Sequence, residues 1–442
     1  MTTDKRDMPA NGSEPRLRGC LQMSRATSRQ GEISRESGVY WVLNEHFEAD
    51  FNAAWPSAVV CKHPLIRGWC PGAWRPMATG DGLLVRVRPR LGRLTRGQLL
   101  ALCAAAETFG SGLIELTSRA NLQLRGVSDA TWPGLMDVLV EQGLADPDRE
   151  RERRPQRLLA PDWRAGDATH AAACLLEARL NELPALPDKL GIAIDAGPAP
   201  LLGEVSADFR IERSAEGGLL VRADGRALGT PVDSPAAAVE ALIRLAHWFV
   251  ESGGREAGRM RRHPAPLPAW MPPVAAPAEP GARLALGEHH RGRVVGLPFG
   301  RASAAALRAV VEQDAVSAVR VTPWRRLLLE GEGVSIAPIA GLLDDERDPR
   351  LVMQACPGAP HCEQASVETL ALAERLSGRV AGSVHVSGCA KGCACQQPTD
   401  LCLTGRNGRY DLITSGRADA APIASGLTES EVLELVSRRR AR

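Results

Sequence analysis

The chain has 442 residues, 44% of them apolar and 24% charged, with a formal net charge of +2. That length calls for two to four domains, and so small a net charge excludes a global field that would gather nucleic acid or an anionic membrane. No apolar run approaches the roughly 18 residues that span a bilayer, and residues 1–30 lack the apolar stretch of a secretory signal, so a cytoplasmic protein is expected.

In chain order, residues 1–60 are polar and irregular and read as a poorly ordered extension. In the segment 61–150, Gly82 to Arg88 reads as a strand and Thr95 caps a helix running to Phe109. Leu113 to Thr117 and Leu122 to Val127 are further strands, and 130–142 is a helix. Residues 165–253 run helix, strand (Leu190 to Ile194), strands about Phe209 and Leu219, then a helix to Val250. Between 254 and 284 stand Pro264, Pro266, Pro268, Pro272, Pro273, Pro277 and Pro280. No helix or central strand tolerates that density, so this is a linker.

Beyond it the pattern returns. The segment 285–348 gives a strand at Val294 to Leu297, a helix capped by Ser303, strands at Val319 to Thr322 and Leu327 to Leu329, and a helix at Ile336 to Leu343. Thr117 through Gly126 aligns without gaps on Thr322 through Gly331. Residues 349–442 repeat the order of 165–253, with strands at Val380 to Val386 and about Leu401 and Tyr410 between helices. An internal duplication with an α+β fold and antiparallel or mixed sheets is expected.

Of the 11 cysteines, six (Cys356, Cys362, Cys389, Cys393, Cys395 and Cys402) lie in the last segment. An odd count without a secretory signal argues against a disulfide framework. The spacing Cys356-x5-Cys362, a gap of 26 residues, then Cys389-x3-Cys393 suits four thiolates converging on a four-iron cubane. The prolines of Cys356-Pro-Gly-Ala-Pro-His-Cys362 make a fixed turn. Gly388 and Gly392 let backbone approach the cluster and direct N–H groups at its sulfurs, and Lys391 adds charge that favours reduction. A structural zinc site, for which five intervening residues is wide, and buried thiols without metal are the competing readings. Cys395 and Cys402 read as packing residues or weak alternative ligands, and His361 as a neighbour of the site rather than a ligand.

A candidate binding surface lies in the first half. Arg86 and Arg88 share one face of a strand, as do Arg119, Asn121, Gln123 and Arg125 on the next strand pair. Guanidinium groups bind carboxylates through paired N–H bonds, so a polycarboxylate would fit; a solvated arginine-rich face is the bland alternative.

The cysteine spacing resembles the cluster signature of the sirohaem-containing sulfite and nitrite reductases, and Thr117-Ser-Arg119-Ala-Asn-Leu-Gln123 resembles their tetrapyrrole-contacting stretch. Within that superfamily, Arg67-Gly-Trp-Cys70-Pro-Gly72, Pro76-Met-Ala-Thr-Gly80-Asp-Gly-Leu-Leu-Val-Arg86 and Ala355-Cys-Pro-Gly-Ala-Pro360 look like the precorrin-3B synthase family. The resemblance covers roughly residues 60–440. It implies a duplicated nitrite/sulfite reductase-like fold. Ferredoxin-like half-domains would occupy 61–150 and 285–348, with reductase-like α+β domains at 165–253, without a cluster, and at 349–442, with a [4Fe-4S] cluster.

The resemblance further implies an oxidoreductase of aerobic cobalamin biosynthesis, a monooxygenase that hydroxylates precorrin-3A at C20 with dioxygen and closes a γ-lactone. Cys356, Cys362, Cys389 and Cys393 would ligate the cluster. Arg86, Arg88, Arg119 and Lys189 would hold substrate carboxylates, with Asn121 and Gln123 as neutral hydrogen-bond donors. Where the reductases carry a Lys-x-Lys pair, this chain has Lys189 and Gly191, which favours the synthase. An additional non-haem iron is implied, yet no 2-His-1-carboxylate pattern stands out, and the adjacent His289 and His290 would diverge in a strand. No nucleotide-binding glycine motif is found, so the electron donor is expected to be a separate flavin reductase or ferredoxin. The alternatives are a sirohaem-dependent sulfite or nitrite reductase and a non-catalytic iron–sulfur or zinc protein.

Overall fold

The computed structural model describes residues 69–335 and 339–440, so the expected extension at 1–60 lies outside the described residues. The first part holds β1 (Met77–Thr79), β2 (Gly82–Val87), β3 (Arg93–Thr95), α1 (Arg96–Phe109), β4 (Leu113–Leu116), β5 (Leu122–Val127) and α2 (Trp132–Glu141). The one-turn α3 (Arg149–Glu152) leads to β6 (Gln156–Leu159), α4 (Ala168–Ala178), β7 (Gly191–Asp195), β8 (Phe209–Arg213), β9 (Leu219–Ala223), β10 (Thr230–Val232) and α5 (Pro235–Glu251). After the short α6 (Gly254–Ala257) come β11 (Gly287–His289), β12 (Gly292–Gly296), β13 (Arg301–Ser303), α7 (Ala304–Val311), β14 (Ala318–Val321) and β15 (Arg326–Glu330). The last part holds β16 (Met353–Ala355), α8 (Leu370–Leu376), β17 (Val384–Ser387), β18 (Thr399–Arg406), β19 (Arg409–Gly416), β20 (Ala424–Leu427) and α9 (Glu429–Arg440).

Local chemistry sets the clearest boundaries. The Thr95 hydroxyl accepts the Gln98 N–H while the Gln98 side chain accepts the Thr95 N–H, a reciprocal cap that starts α1. Ser303 caps α7 at the matching place. Ser234 and Pro235 open α5, which buries Ala238, Val239, Leu242, Leu245, Ala246 and Phe249 as one helical stripe.

The strands form sheets in two matching pairs. One pair runs β1-β2-β5-β4-β13 and β11-β12-β15-β14-β3. Each of these two sheets borrows its last strand from the other half: Ala302 of β13 lies opposite Ile114 of β4, and Leu94 of β3 opposite Val319 of β14. The two halves also share one apolar core, with α1 packed on α7. The other pair runs β6 to β10 and β16 to β20, each in chain order with two parallel pairings followed by two antiparallel ones. Each of these sheets has its own core.

The repeat extends to strained backbone. Ala120 (φ 52°) and Arg325 (φ 60°) hold the same place in the aligned decapeptides, and Leu91 (φ 56°) and Phe299 (φ 52°) stand just before the exchanged strands. A left-handed non-glycine residue costs on the order of 1–2 kcal/mol, so its recurrence follows from the shared turn and not from the residue type. The proline-rich stretch returns onto the first part through bridges from Ser214 to Pro277 and from Gly229 to Ala275. The helix expected over 336–343 falls partly outside the described residues, and Leu343 bridges to Gly296.

Candidate metal centre and anion surface

Strands β16 and β17 are neighbours and parallel, so their carboxyl ends open onto the same edge of the sheet, where α/β-type sheets place their ligands. Cys356 follows β16 directly and Cys389 follows β17 by two residues. The Cys356 N–H donates to the Val386 carbonyl (3.3 Å), and the Gly388 N–H donates to Cys356 Sγ (3.1 Å). The turn to Cys362 closes through its N–H on the Gly358 carbonyl (2.9 Å), with Gly358 at φ 70°. A Cβ on Gly358 would lie 2.5 Å from Thr369 Oγ1, and one on Gly388 would lie 2.5 Å from the Ala365 Cβ. Both glycines are therefore required by close approach.

The four thiols form one electrostatic group. Burial pushes the Cys356 thiol up, Gly388 and Gly358 N–H groups pull it back, and Cys362 and Cys389 raise it again. Burial pushes the Cys393 thiol up to about 11, with Lys391 pulling it back and Cys356, Cys389 and Cys362 raising it further. Among the described residues no group of three or more His, Cys, Asp or Glu side chains is gathered to hold a metal ion. A four-iron cluster asks for something else, thiolates spread over its corners with backbone N–H groups aimed at sulfur. Four soft donors on two glycine-hinged loops, one already bonded by an N–H, fit that group. Cys402 is fully buried between His385 and Thr404, and Cys395 donates to the Gln397 carbonyl.

The other copy of this sheet supplies the contrast. Ala160 follows β6 as Cys356 follows β16, and its N–H donates to Ile194 (3.0 Å) as that of Cys356 does to Val386. Gly197 follows β7 by two residues, the place of Cys389. Thiols are missing where the repeat would put them.

Arg86, Arg88 and Arg119 come together near Cys70, each electrostatically coupled to it. Arg86 donates to the neutral amide oxygen of Gln123 (3.1 and 2.5 Å). Burial, opposed by Cys70 and reinforced by Arg88 and Arg119, brings the Arg86 guanidinium down to about 10. Burial also lowers Arg88 and Arg119. Arg88 spends one nitrogen on the Glu152 and Arg154 carbonyls (3.0 Å each), and Arg119 donates to the Lys189 carbonyl (2.9 Å). The Arg119 contact is thus to the backbone of Lys189. Asn121 is buried, and its Oδ1 has no hydrogen-bond partner among the described residues. A Cβ on Gly191 would make only ordinary contacts, 3.7 Å from the Gln156 carbonyl oxygen and 3.9 Å from an Arg119 guanidinium nitrogen, which places Gly191 beside that cation. Crowded guanidiniums and an orphaned amide favour a bound anion with additional donor groups.

Sequence reading missed what joins this surface to the cysteines. Arg125 donates to Asp81 (2.9 and 2.7 Å) and to the His361 carbonyl (2.9 Å), and the Gly80 N–H donates to that same carbonyl (3.2 Å). His361 Nδ1 stands 3.4 Å from Asp81. The signal was present in Gly80-Asp81-Gly82, a turn motif with an acid at its centre. His289 and His290 correct another expectation. They do not diverge: β11 ends between them, and their rings lie 4.2 Å apart at the mouth of a cavity of about 970 Å³ lined also by Arg164, Arg291 and Arg293. Burial first, then His290 and nearby arginines, push His289 down to about 4. No ligand set for a further iron is assigned.

A family model for the nitrite/sulfite reductase ferredoxin-like half domain matches residues 75–142. The solved structure of the Mycobacterium tuberculosis NirA protein superposes with a TM-score of 0.52 at 19% identity, covering 81% of this chain and 80% of that one. Duplicated topology and these two likenesses make this an α+β protein of the nitrite/sulfite reductase fold. A curated relative from a Sinorhizobium species, named precorrin-3B synthase, is 34% identical over 409 residues, covering 81% of this chain and 85% of the relative. The chain belongs to the precorrin-3B synthase family.

Proposed function

We propose that this chain acts in cobalamin biosynthesis as a precorrin-3B synthase, converting precorrin-3A to precorrin-3B. The observation that carries this is the relative of that name, matched at 34% identity along most of both chains. In the proposed reaction one atom of dioxygen enters the substrate at C20 and the other leaves as water. A ring acetate closes the γ-lactone, and two electrons come from an external donor, a flavin reductase or ferredoxin.

Arg86 and Arg119 bind substrate carboxylates, with Arg88 and Lys189 beside them. Gln123 holds Arg86 in place, and Asn121 offers the buried amide. Gly191 stands beside the Arg119 guanidinium. Cys356, Cys362, Cys389 and Cys393 hold the [4Fe-4S] cluster, which when bound supplies single electrons. The Gly388 N–H donates to the Cys356 sulfur and, with the Gly358 N–H, works against the burial that raises that thiol.

The test begins with protein purified without oxygen. A broad brown absorption with about four sulfides per chain is expected, followed by oxygen-dependent formation of precorrin-3B from precorrin-3A when a donor is added. Sharp tetrapyrrole bands with sulfite or nitrite reduction would instead make it a sirohaem reductase.

A further inference from the structure

We propose that Arg125 is the positioning residue that holds the cluster loop in register with the arginine surface; this rests on the reading above that the cysteines carry a cluster. Arg125 is 3% exposed. It pairs with Asp81, lies 3.6 Å from Glu115, and donates to the carbonyl of His361, the residue before Cys362. Glu115 in turn accepts from Gln123 Nε2 (3.1 Å) and from Arg301. Gln123 accepts from Arg86. An unbroken set of polar contacts thus runs from the anion surface to the loop that ends in Cys362. Burying so many charges returns little stability, because desolvation offsets attraction; registration is the better-attested use of such groups.

The duplicated half shows the same device with its charges exchanged. The decapeptide alignment places Glu330 opposite Arg125, and the same offset carried two residues further back places Arg320 opposite Glu115. Arg320 donates to Glu330 (2.5 Å) and to the Pro161 and Trp163 carbonyls (2.9 and 2.7 Å), on the loop that follows Ala160. Arg93 of the exchanged strand β3 bonds Glu330, as Arg301 of β13 bonds Glu115. In each half a buried, ion-paired guanidinium clamps the loop after the first parallel strand. Only one of those loops bears cysteines, so only there does the clamp act on a metal ligand's neighbour.

The experiment compares full-length wild type, Arg125→Lys, Asp81→Asn and Arg320→Lys, all purified without oxygen. Arg125→Lys should keep its sulfide yet change the EPR line shape and midpoint potential of the reduced cluster, and release iron to a chelator about tenfold faster, as loss of a charge-assisted hydrogen bond implies. Asp81→Asn should move the same readouts in the same direction by less, and serves if Arg125→Lys does not fold. Arg320→Lys should lower the urea midpoint and leave the cluster signals at their wild-type values. Cluster signals unmoved in both Arg125→Lys and Asp81→Asn, or moved equally in Arg320→Lys, would overturn the inference. Wild type without sulfide overturns the cluster reading itself, an outcome distinct from an intact cluster indifferent to Arg125.

Discussion

A methyl group at Gly80 tests whether the first half-domain docks on the cysteine loop as described. The added Cβ would lie 2.3 Å from the Pro360 carbonyl oxygen, 3.1 Å from the His361 carbonyl carbon and 3.2 Å from the Cys362 nitrogen. All three are backbone atoms, so no side chain can swing aside; either the Gly80-Asp81 turn or the loop itself must retreat. Overpacking of this kind costs about 1–3 kcal/mol, and separating the Gly80 N–H from the His361 carbonyl removes about 1 kcal/mol more. Gly97→Ala is the matched control: nothing lies within 4 Å of its Cβ, and it stands in the first turn of α1, where alanine gains up to about 1 kcal/mol. Urea unfolding and acid-labile sulfide, measured side by side, read both effects. Gly80→Ala should lower the midpoint and the sulfide content, and Gly97→Ala should raise the midpoint and leave sulfide alone. A Gly80→Ala protein with the wild-type midpoint and full sulfide would refute the docking.

Three further outcomes are expected. Cys393→Ser should lose the cluster, read as loss of sulfide and of the brown absorption; an intact cluster would remove Cys393 from the ligand set. Burial drives the Asp195 carboxyl from an ordinary 3.8 up to about 7, against the N–H groups of Leu202 and Leu201 that bond it. Between those values the folded state holds a proton that the unfolded chain releases, so this group's contribution to stability is greatest at the acid end and falls as pH rises toward 7, by up to about 4 kcal/mol. Asp195→Asn should flatten that slope in urea midpoints taken from acid to neutral pH, and an unchanged slope would remove Asp195 as its source. Arg86→Gln should weaken binding of an octacarboxylate porphyrin about tenfold or more with sulfide unchanged; equal binding would take Arg86 out of the anion surface.

Helices and central strands were legible because each carries its own signal. Thr95, Ser303 and Ser234 announce helix starts, and Leu122 to Val127 reads as a strand from its alternation. The cysteine set was legible from spacing. What escaped was set by partners remote in the chain. β3 and β13 are three residues each and exist as strands because the opposite half offers an edge. β6 and β16, which place the loops at Ala160 and Cys356, are too short for periodicity to mark. Arg125 was seen on the face of Gln123, but nothing local shows that its guanidinium reaches His361, which is 236 positions away. His289 and His290 were misjudged because a strand was assumed to continue where a turn begins.

The exchanged strands also set a timetable for synthesis. β4 emerges from the ribosome early, but the strand that closes its edge lies 186 residues further on, counted from Glu115 to Arg301. At about 5–20 residues per second, that edge stands open for roughly 10–40 seconds, with its backbone donors and acceptors unmatched and a neighbouring nascent chain able to occupy them. The second sheet faces no such interval, since β3 is already waiting when β14 is made. Production of this chain should therefore be most vulnerable to misassembly between copies while translation crosses the proline-rich stretch, and slower growth at lower protein density should raise the soluble yield more than any change to the finished fold.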